Sequence, residues 1–341
     1  RISLSRYYTI AVDAMGGDFG PRVTVPSSIQ ALARHPNLTI HLIGHQDEIT
    51  PHILKLNSDI ASRLEITHTD QLIGMDEKPS MALRHGKGSS MHLALKQVSE
   101  GQANACVSAG NTGALMVLGR SVLKTLPGID RPAIISAVPT LHGHSYMLDL
   151  GANVDCAAEH LMQFAIMGSV MTQAVEQIAE PRVGLLNVGQ EEIKGNEQVK
   201  LASRLISEHG ELNYIGYIEG DDIFSGRADV VVCDGFVGNI ALKGSEGLAN
   251  LIRNKVRSSF KKGLYRRLLG LLATPVLAEL NRQMDPSRRN GASLLGLQGI
   301  VVKSHGGANK KCFGYALDQA VSEIEMDLPI RISRHIENQL T

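Results

Sequence analysis

The sequence predicts a three-layer α/β/α protein, doubly wound around a mostly parallel sheet, with one antiparallel hairpin and one helical excursion. Three observations carry that expectation. Short runs of apolar and β-branched residues alternate with helical stretches almost throughout. Nearly every run ends in a glycine- and asparagine-rich turn that opens a helix. The 341 residues, 43% of them apolar, suffice for a full core.

Arg1 to Tyr8 reads as a loose leader, and Tyr8 to Ala14 as the first strand, followed by the turn MGGDFGP and a helix over Val23 to Arg34. Leu38 to Gly44 is a second strand with a helix over Asp47 to Leu56, and Leu64 to Thr67 a third, shorter strand. Gly74 to Ser90 is polar and irregular. It carries Arg84, Lys87, Ser89 and Ser90 just before a helix over Met91 to Glu100, where the serine pair is a good N-cap and the two basic residues are a candidate anion clamp, against an ordinary cap with solvated charges, which this stretch alone favours. Cys106 to Ser108 closes the next strand. Gly110 and Gly113 then let the backbone approach a ligand, and Asn111 or Thr112 caps a helix from Gly113 to Lys124. A helix opening after a strand directs free N–H groups and the positive end of its dipole outward, which suits an anion.

Pro132 to Val138 and Ser145 to Gly151 are joined by only a handful of residues, so this pair is an antiparallel hairpin. DLGANVD leads into a long helix through Ile178, Arg182 to Val188 is another buried strand, and Gln198 to Glu208 its helix. NYIGYIE, DVVVCDGFVGN and GIVVKSHGGANKK repeat the grammar of strand, turn and helix. The chain is expected to be one domain over residues 1–341, with residues 247–285 a basic amphipathic excursion within it.

If the sheet is single, five turns are expected at one rim: AGNTGA, DLGANVD, NVGQEEIKGN, CDGFVGN and SHGGANK. Their candidate phosphate and substrate contacts are Gly110, Asn111, Thr112, Gly113, Asn153, Gly189, Asp234, Gly235, Gly238 and Gly306, joined by Arg84 and Ser89. None is a GxGxxG or GxxxxGK[ST] loop, so a nucleotide is weakly supported. Backbone amides with Lys194 and Lys310 suit a compact anion or an oxyanion.

Composition narrows the function further. Lys+Arg and Asp+Glu balance at 34 each, and with no Trp and 4% aromatic residues little is available to stack bases, so no nucleic-acid partner is expected. The four cysteines lack any CxxC spacing and read as reduced thiols of a cytoplasmic protein. Neither a membrane-spanning run nor an apolar signal core is present.

The segments VDAMGGDFGP, SAGNTGALM, LDLGANVDC, NVGQEEIKGNE, CDGFVGNIALK and GIVVKSHGGAN, in this order and spanning nearly the whole chain, resemble the bacterial acyl-acyl carrier protein:phosphate acyltransferases of phospholipid synthesis. The resemblance implies that inorganic phosphate takes a fatty acyl group from acyl carrier protein, giving acyl phosphate. It also implies a homodimer with the three-layer fold of phosphotransacetylases and of the isocitrate and isopropylmalate dehydrogenases. No cofactor and no metal are expected.

Lys194, in a glycine-flanked turn, is the first candidate to neutralise both phosphate and oxyanion, against a surface lysine paired with Glu191 or Glu192. Asn239 is a candidate donor to phosphate or carbonyl, against a simple cap, and His305 a proton shuttle or anion donor, against a structural strand-end histidine. Two competing readings are a metal- and NAD-dependent hydroxy-acid dehydrogenase, for which Asp149, Asp155, Asp221, Asp222 and Asp234 are too dispersed, and a noncatalytic membrane scaffold for lipid enzymes. Gly247 to Ala278 contains no acidic residue, whereas Arg253, Lys255, Arg257, Lys261, Lys262, Arg266 and Arg267 crowd its first two thirds. Leu264, Leu268, Leu271 and Leu272 follow at helical spacing. Arg253, Arg257, Lys261, Leu264, Leu268 and Leu271 are therefore the expected contacts with anionic lipid, carrier protein or a downstream membrane acyltransferase, and place the protein peripherally at the inner face of the cell membrane.

Overall fold

The computed structural model describes residues 7–284 and 291–340. Eleven strands form one sheet: β1 (Tyr8–Asp13), β2 (Leu38–Gly44), β3 (Leu64–His68), β4 (Ala105–Ser108), β5 (Ala133–Thr140), β6 (Gly143–Leu148), β7 (Arg182–Leu186), β8 (Asn213–Ile218), β9 (Val230–Val232), β10 (Ala292–Leu295) and β11 (Ile300–Lys303). Their order is β3-β2-β1-β4-β11-β10-β5-β6-β9-β7-β8. The helices are α1 (Pro21–Arg34), α2 (Gln46–Ile49), α3 (Ser58–Ser62), α4 (Pro79–His85), α5 (Ser90–Ser99), α6 (Thr112–Leu123), α7 (Ala158–Glu176), α8 (Glu197–Glu208), α9 (Gly235–Phe260), α10 (Leu264–Leu272), α11 (Thr274–Met284), α12 (Lys310–Glu325) and α13 (Leu328–Leu340).

Three layers follow from where the apolar side chains point. Ile10, Val12, Val107 and Val302 face Leu32 of α1 and Phe313 of α12. On the other side Cys106 and Val301 pack on Leu95 of α5 and Leu115 of α6. Leu148, Val232 and Leu185 meet Phe164 of α7, Ile206 of α8 and Ile332 of α13. Strands buried on both faces read as continuous apolar runs, which is why they stood out in the sequence.

Seven of the ten strand pairings are parallel and three antiparallel. The expected hairpin is β5–β6, with Ile135 opposite Leu148 and Thr140 opposite Gly143. It reverses the sheet. β1 to β4 and β11 run one way, and β6, β7, β8 and β9 run the other. The five glycine turns therefore do not share a rim, contrary to the single-rim expectation. AGNTGA and SHGGANK end strands at one edge, and DLGANVD, NVGQEEIKGN and CDGFVGN at the opposite edge.

Other differences have local causes. The expected helix over Asp47 to Leu56 is broken into α2 and a 3-10 turn at Thr50–His52, because Pro51 carries no N–H to continue it. The polar stretch after Gly74 contains α4, opened by Pro79. β10 is too short to carry a period of its own. Of the leader, residues 1–6 lie outside the described residues, and Tyr8 is already a buried part of β1. The excursion does not begin at Gly247, since that residue lies within the continuous α9. Residues 285–290 and the side chain of Leu264 lie outside what is described. No helix among the described residues is long and apolar enough to cross a membrane.

Candidate functional site

At the carboxyl ends of β1, β4 and β11 the buried carboxylate of Asp13 accepts hydrogen bonds from Ser90 Oγ and Ser108 Oγ, both at 2.6 Å. Ser108 Oγ in turn accepts from the Gly110 amide at 3.0 Å. Burial raises the Asp13 pKa against these bonds. The Lys303 ammonium is held by the carbonyls of Ala109 and Ser304, and burial lowers its pKa to about 8 against the pull of Asp13 and Asp18. None of Asp13, Ser108 and Lys303 was singled out in the sequence. The legible signal was a charged residue ending an apolar strand just before a glycine turn.

The same rim shows how the predicted contacts Asn111 and Ser89 are used. Asn111 Oδ1 caps α6 by accepting from Ala114 N, and its Nδ2 donates to the carbonyls of Met75 and Glu77 at 2.7 and 2.9 Å. Both ends of that amide are committed to loop closure. Ser89 caps α5 by accepting from His92 N. Gly113 packs under Pro79, Thr112 is exposed at the start of α6, Arg84 is exposed on α4, and Lys310 is exposed at the start of α12. Gly306 accepts from the Asp18 amide at 2.9 Å, and exposed His305 accepts from Gly307 N through Nδ1.

The opposite rim gathers the other candidates. Asp149, fully buried at the end of β6, accepts from the amides of Ile134, Ala152 and Asn153 and from Asn153 Nδ2, at 2.6 to 3.1 Å. Asn153 Nδ2 also donates to the Pro132 carbonyl, and the Asn153 carbonyl accepts from Gly235 N. Asp149 and Asn153 thus lace the DLGANVD turn to the start of α9. Asp234 caps that helix, accepting from Val237 N at 2.8 Å. A Cβ on Gly235 would meet the Asn153 carbonyl at 2.7 Å, and one on Gly238 would fall on the Asp149 carbonyl. Gly151 has φ of +120°, a backbone conformation glycine tolerates, and brings its turn against the half-buried side chain of Asn239. Among the described residues the Asn239 carboxamide has no hydrogen-bond partner, so it is not a cap.

Lys194 lies in the adjoining loop. Asn187 Nδ2 holds that loop by donating to the carbonyls of Gly189 and Lys194 at 3.1 and 3.2 Å, and Lys194 N donates to the Glu191 carbonyl. The exposed Lys194 ammonium pairs with neither Glu191 nor Glu192 among the described residues. Beside it a groove of about 800 Å³ runs between α9 and the β7 and β8 turns, bordered by Asn187, Gly195, Asp234 and Val237.

The structure therefore brings Lys194 and Asn239 to one rim and places His305 at the other. Four strand spacings of about 4.8 Å separate β11 from β9, roughly 20 Å across the sheet. Within a single chain His305 thus stands on the rim opposite Lys194 and Asn239.

Three of the four thiols are held in the protonated form by burial. Burial drives the Cys106 and Cys233 pKa values well above the ordinary thiol range, and raises that of Cys156 to about 11.

This fold has relatives. The phosphotransacetylase from Streptococcus pyogenes superimposes with a TM-score of 0.65, at 16% identity, covering 94% of this chain and 95% of that one. EutD phosphotransacetylase from Staphylococcus aureus gives 0.61 at 15% identity, covering 94% of each chain. At such identities the likeness is one of fold. A fatty acid synthesis protein family model matches residues 8–331. The phosphate acyltransferase of Halorhodospira halophila is 55% identical over 332 residues, 97% of each chain. That of Ectopseudomonas mendocina is 55% identical over 331 residues, 97% of this chain and 98% of its own. The chain therefore belongs to the phosphate acyltransferase family and is an acyltransferase of fatty acid synthesis.

Proposed function

We propose that the chain transfers a fatty acyl group from acyl carrier protein to inorganic phosphate, making acyl phosphate for phospholipid synthesis, as a homodimer of single-domain subunits. The observation that carries this reading is that the loop bearing the exposed Lys194 and the first turns of α9, which bear the unpartnered Asn239 carboxamide, stand on one rim, with Gly195, Asn196 and Asp234 bordering the groove between them. A phosphate oxygen attacks the thioester carbonyl, the carbon–sulfur bond breaks, and the carrier's sulfur leaves with the bonding electron pair. Phosphate is largely dianionic near neutral pH, with a second pKa of ~6 in phosphoesters, and the leaving thiol has a pKa of ~8.5. No strong base or acid is then required. Lys194 neutralises the incoming dianion and the oxyanion, and Asn239 donates to the carbonyl oxygen. Asn187, Val188 and Asp234 border the approach, while the amides of Gly235, Val237 and Gly238 are spent on Asn153 and Asp234. His305 is left out of this site, since within one chain it stands on the other rim.

The test is release of free carrier thiol from purified acyl carrier protein thioester. It is expected to depend on added phosphate, to need no nucleotide, and to proceed without an acyl-cysteine detectable by intact mass. Thiol release unchanged when phosphate is omitted rules the reading out.

The excursion supports a peripheral membrane or carrier contact. Arg253 and Arg257 are exposed along α9, Lys261 follows at its end, and α10 leaves Leu268 and Leu271 56% and 70% exposed. The span has no acid at i,i+4 to pair its bases, and a bilayer accepts both the basic and the leucine face of such a helix. The chain is expected to sediment with phosphatidylglycerol vesicles in a salt-sensitive way. Leu268→Glu combined with Leu271→Glu is expected to abolish this while turnover of soluble substrate survives. If the double variant still sediments like the parent, or dissociates to monomers, the helix serves another surface.

A further inference from the structure

The groove beside Lys194 does not end at the rim. Beneath α9 it narrows into an inner pocket of about 230 Å³, and the two share Ile223, Phe224, Ala241, Ser245 and Leu248. The inner pocket is walled on the sheet side by Ala137, Val138 and Pro139 of β5 and Met147 of β6. Val138 and Met147 are fully buried, so this wall closes the pocket. The 3-10 turn at Asp222–Phe224 lies across its flank, tied to the hairpin where Leu141 N donates to the Phe224 carbonyl at 3.0 Å. The Ser245 hydroxyl is turned back onto the Ala241 carbonyl at 2.6 Å and presents no free donor to the cavity. One end of this passage thus meets the turns that hold Lys194 and Asp234. The other is a mostly apolar chamber floored by the sheet, with Glu246 and the exposed side chains of Leu248 and Ile252 at its margin.

Resting on the reading under Proposed function, we infer that the inner pocket receives the distal end of the acyl chain and sets which chain lengths are transferred. Ala241 and Phe224 are the specificity-determining residues. The occupant is a linear alkyl chain attached to a reacting carbonyl. The passage is continuous with the reaction site, its lining offers methyl, methylene and ring carbons, and its far wall is the sheet itself. Each methylene that enters gains about fourfold in binding, so the depth of the chamber becomes a preference in kcat/KM. Ala241 stands at the neck with a side chain too small to obstruct it. Phe224, 37% exposed, flanks that neck from the 3-10 turn.

The experiment has two arms. The chain contains no Trp, so Phe224→Trp places a sole indole at the neck. Its emission is expected to shift blue on titration with palmitate at concentrations where octanoate has no effect. In the otherwise native chain, Ala241→Phe and, from the sheet side, Val138→Phe, whose side chain faces the pocket with Met147, are each expected to lower the ratio of palmitoyl to octanoyl kcat/KM by at least about tenfold, the loss from excluding two or more methylenes. A ratio left unchanged in both variants overturns the inference. So does an Ala241→Phe protein that keeps the parent ratio but changes sedimentation, since a second copy then occupies the groove. If the parent turns over no thioester of any length, the acyl-transfer reading fails, and the indole titration still reports whether the pocket takes the chain.

Discussion

Lys194→Ala is expected to lower kcat/KM for phosphate-dependent acyl transfer by about two to three orders of magnitude while leaving the fold intact. One lost donor to a developing oxyanion typically costs ~3 kcal/mol, and in the proposed reaction the same ammonium also neutralises the phosphate dianion. The side chain is exposed and makes no ion pair among the described residues, so its loss should move the unfolding midpoint little. The two effects are read separately, by carrier-thiol release and by thermal unfolding. Lys194→Arg, which keeps the charge but not the ammonium's shape, should recover part of the rate. An alanine variant within tenfold of the parent would remove Lys194 from the chemistry. One that also unfolds early would mark the residue as structural.

Gly238→Ala is expected to destabilise the protein by about 3 kcal/mol, whereas Gly247→Ala on the same helix stabilises it by up to about 1 kcal/mol. Both glycines lie inside α9, where alanine is the better helix former. Their surroundings differ. A Cβ at Gly238 falls on the Asp149 carbonyl and within 3.0 Å of Cys233 Sγ, while one at Gly247 meets nothing within 4 Å. The Asp149 carbonyl cannot retreat cheaply, because that residue's amide donates to the Cys233 carbonyl and its carboxylate accepts four hydrogen bonds. Urea midpoints of the two variants measure the contrast. Equal shifts would mean that α9 does not seat against the β6 turn.

Most of the fold was legible in the order of residues because its strands are buried on both faces. TIAVD, LTIHLIG and DVVVCD each end in a glycine turn, and both the run and the turn are local signals. The chemistry of the turns was equally local, which is how Lys194 and Asn239 could be named before any fold was known. The hairpin was also legible, from the short link around Gly143. Its consequence was not. An antiparallel pair in the middle of a sheet reverses every strand beyond it, and which strands lie beyond it depends on pairings between segments far apart in the chain. β10 pairs with β5 across nearly half the sequence, Ser293 opposite Ile135.

That reversal decided which candidates share a rim of the sheet, separating His305 from Lys194 and Asn239. Tertiary packing likewise decided which polar groups are spent on structure. Asn111 and Asn239 both follow a strand and a glycine turn, yet Asn111 is the cap of α6 and is consumed by the carbonyls of Met75 and Glu77 from another loop, whereas Asn239 falls within α9, already capped by Asp234. Ser89 and Ser90 are neighbours in sequence, but only Ser90 reaches Asp13. The sequence by itself determined which residue types stand at the strand ends, since periodicity and turn chemistry act over a few residues. Which of them face one another, which are already paired, and which groove continues beneath α9 depended on strand direction and on hydrogen bonds between distant loops, and these exist only once the chain has closed on itself.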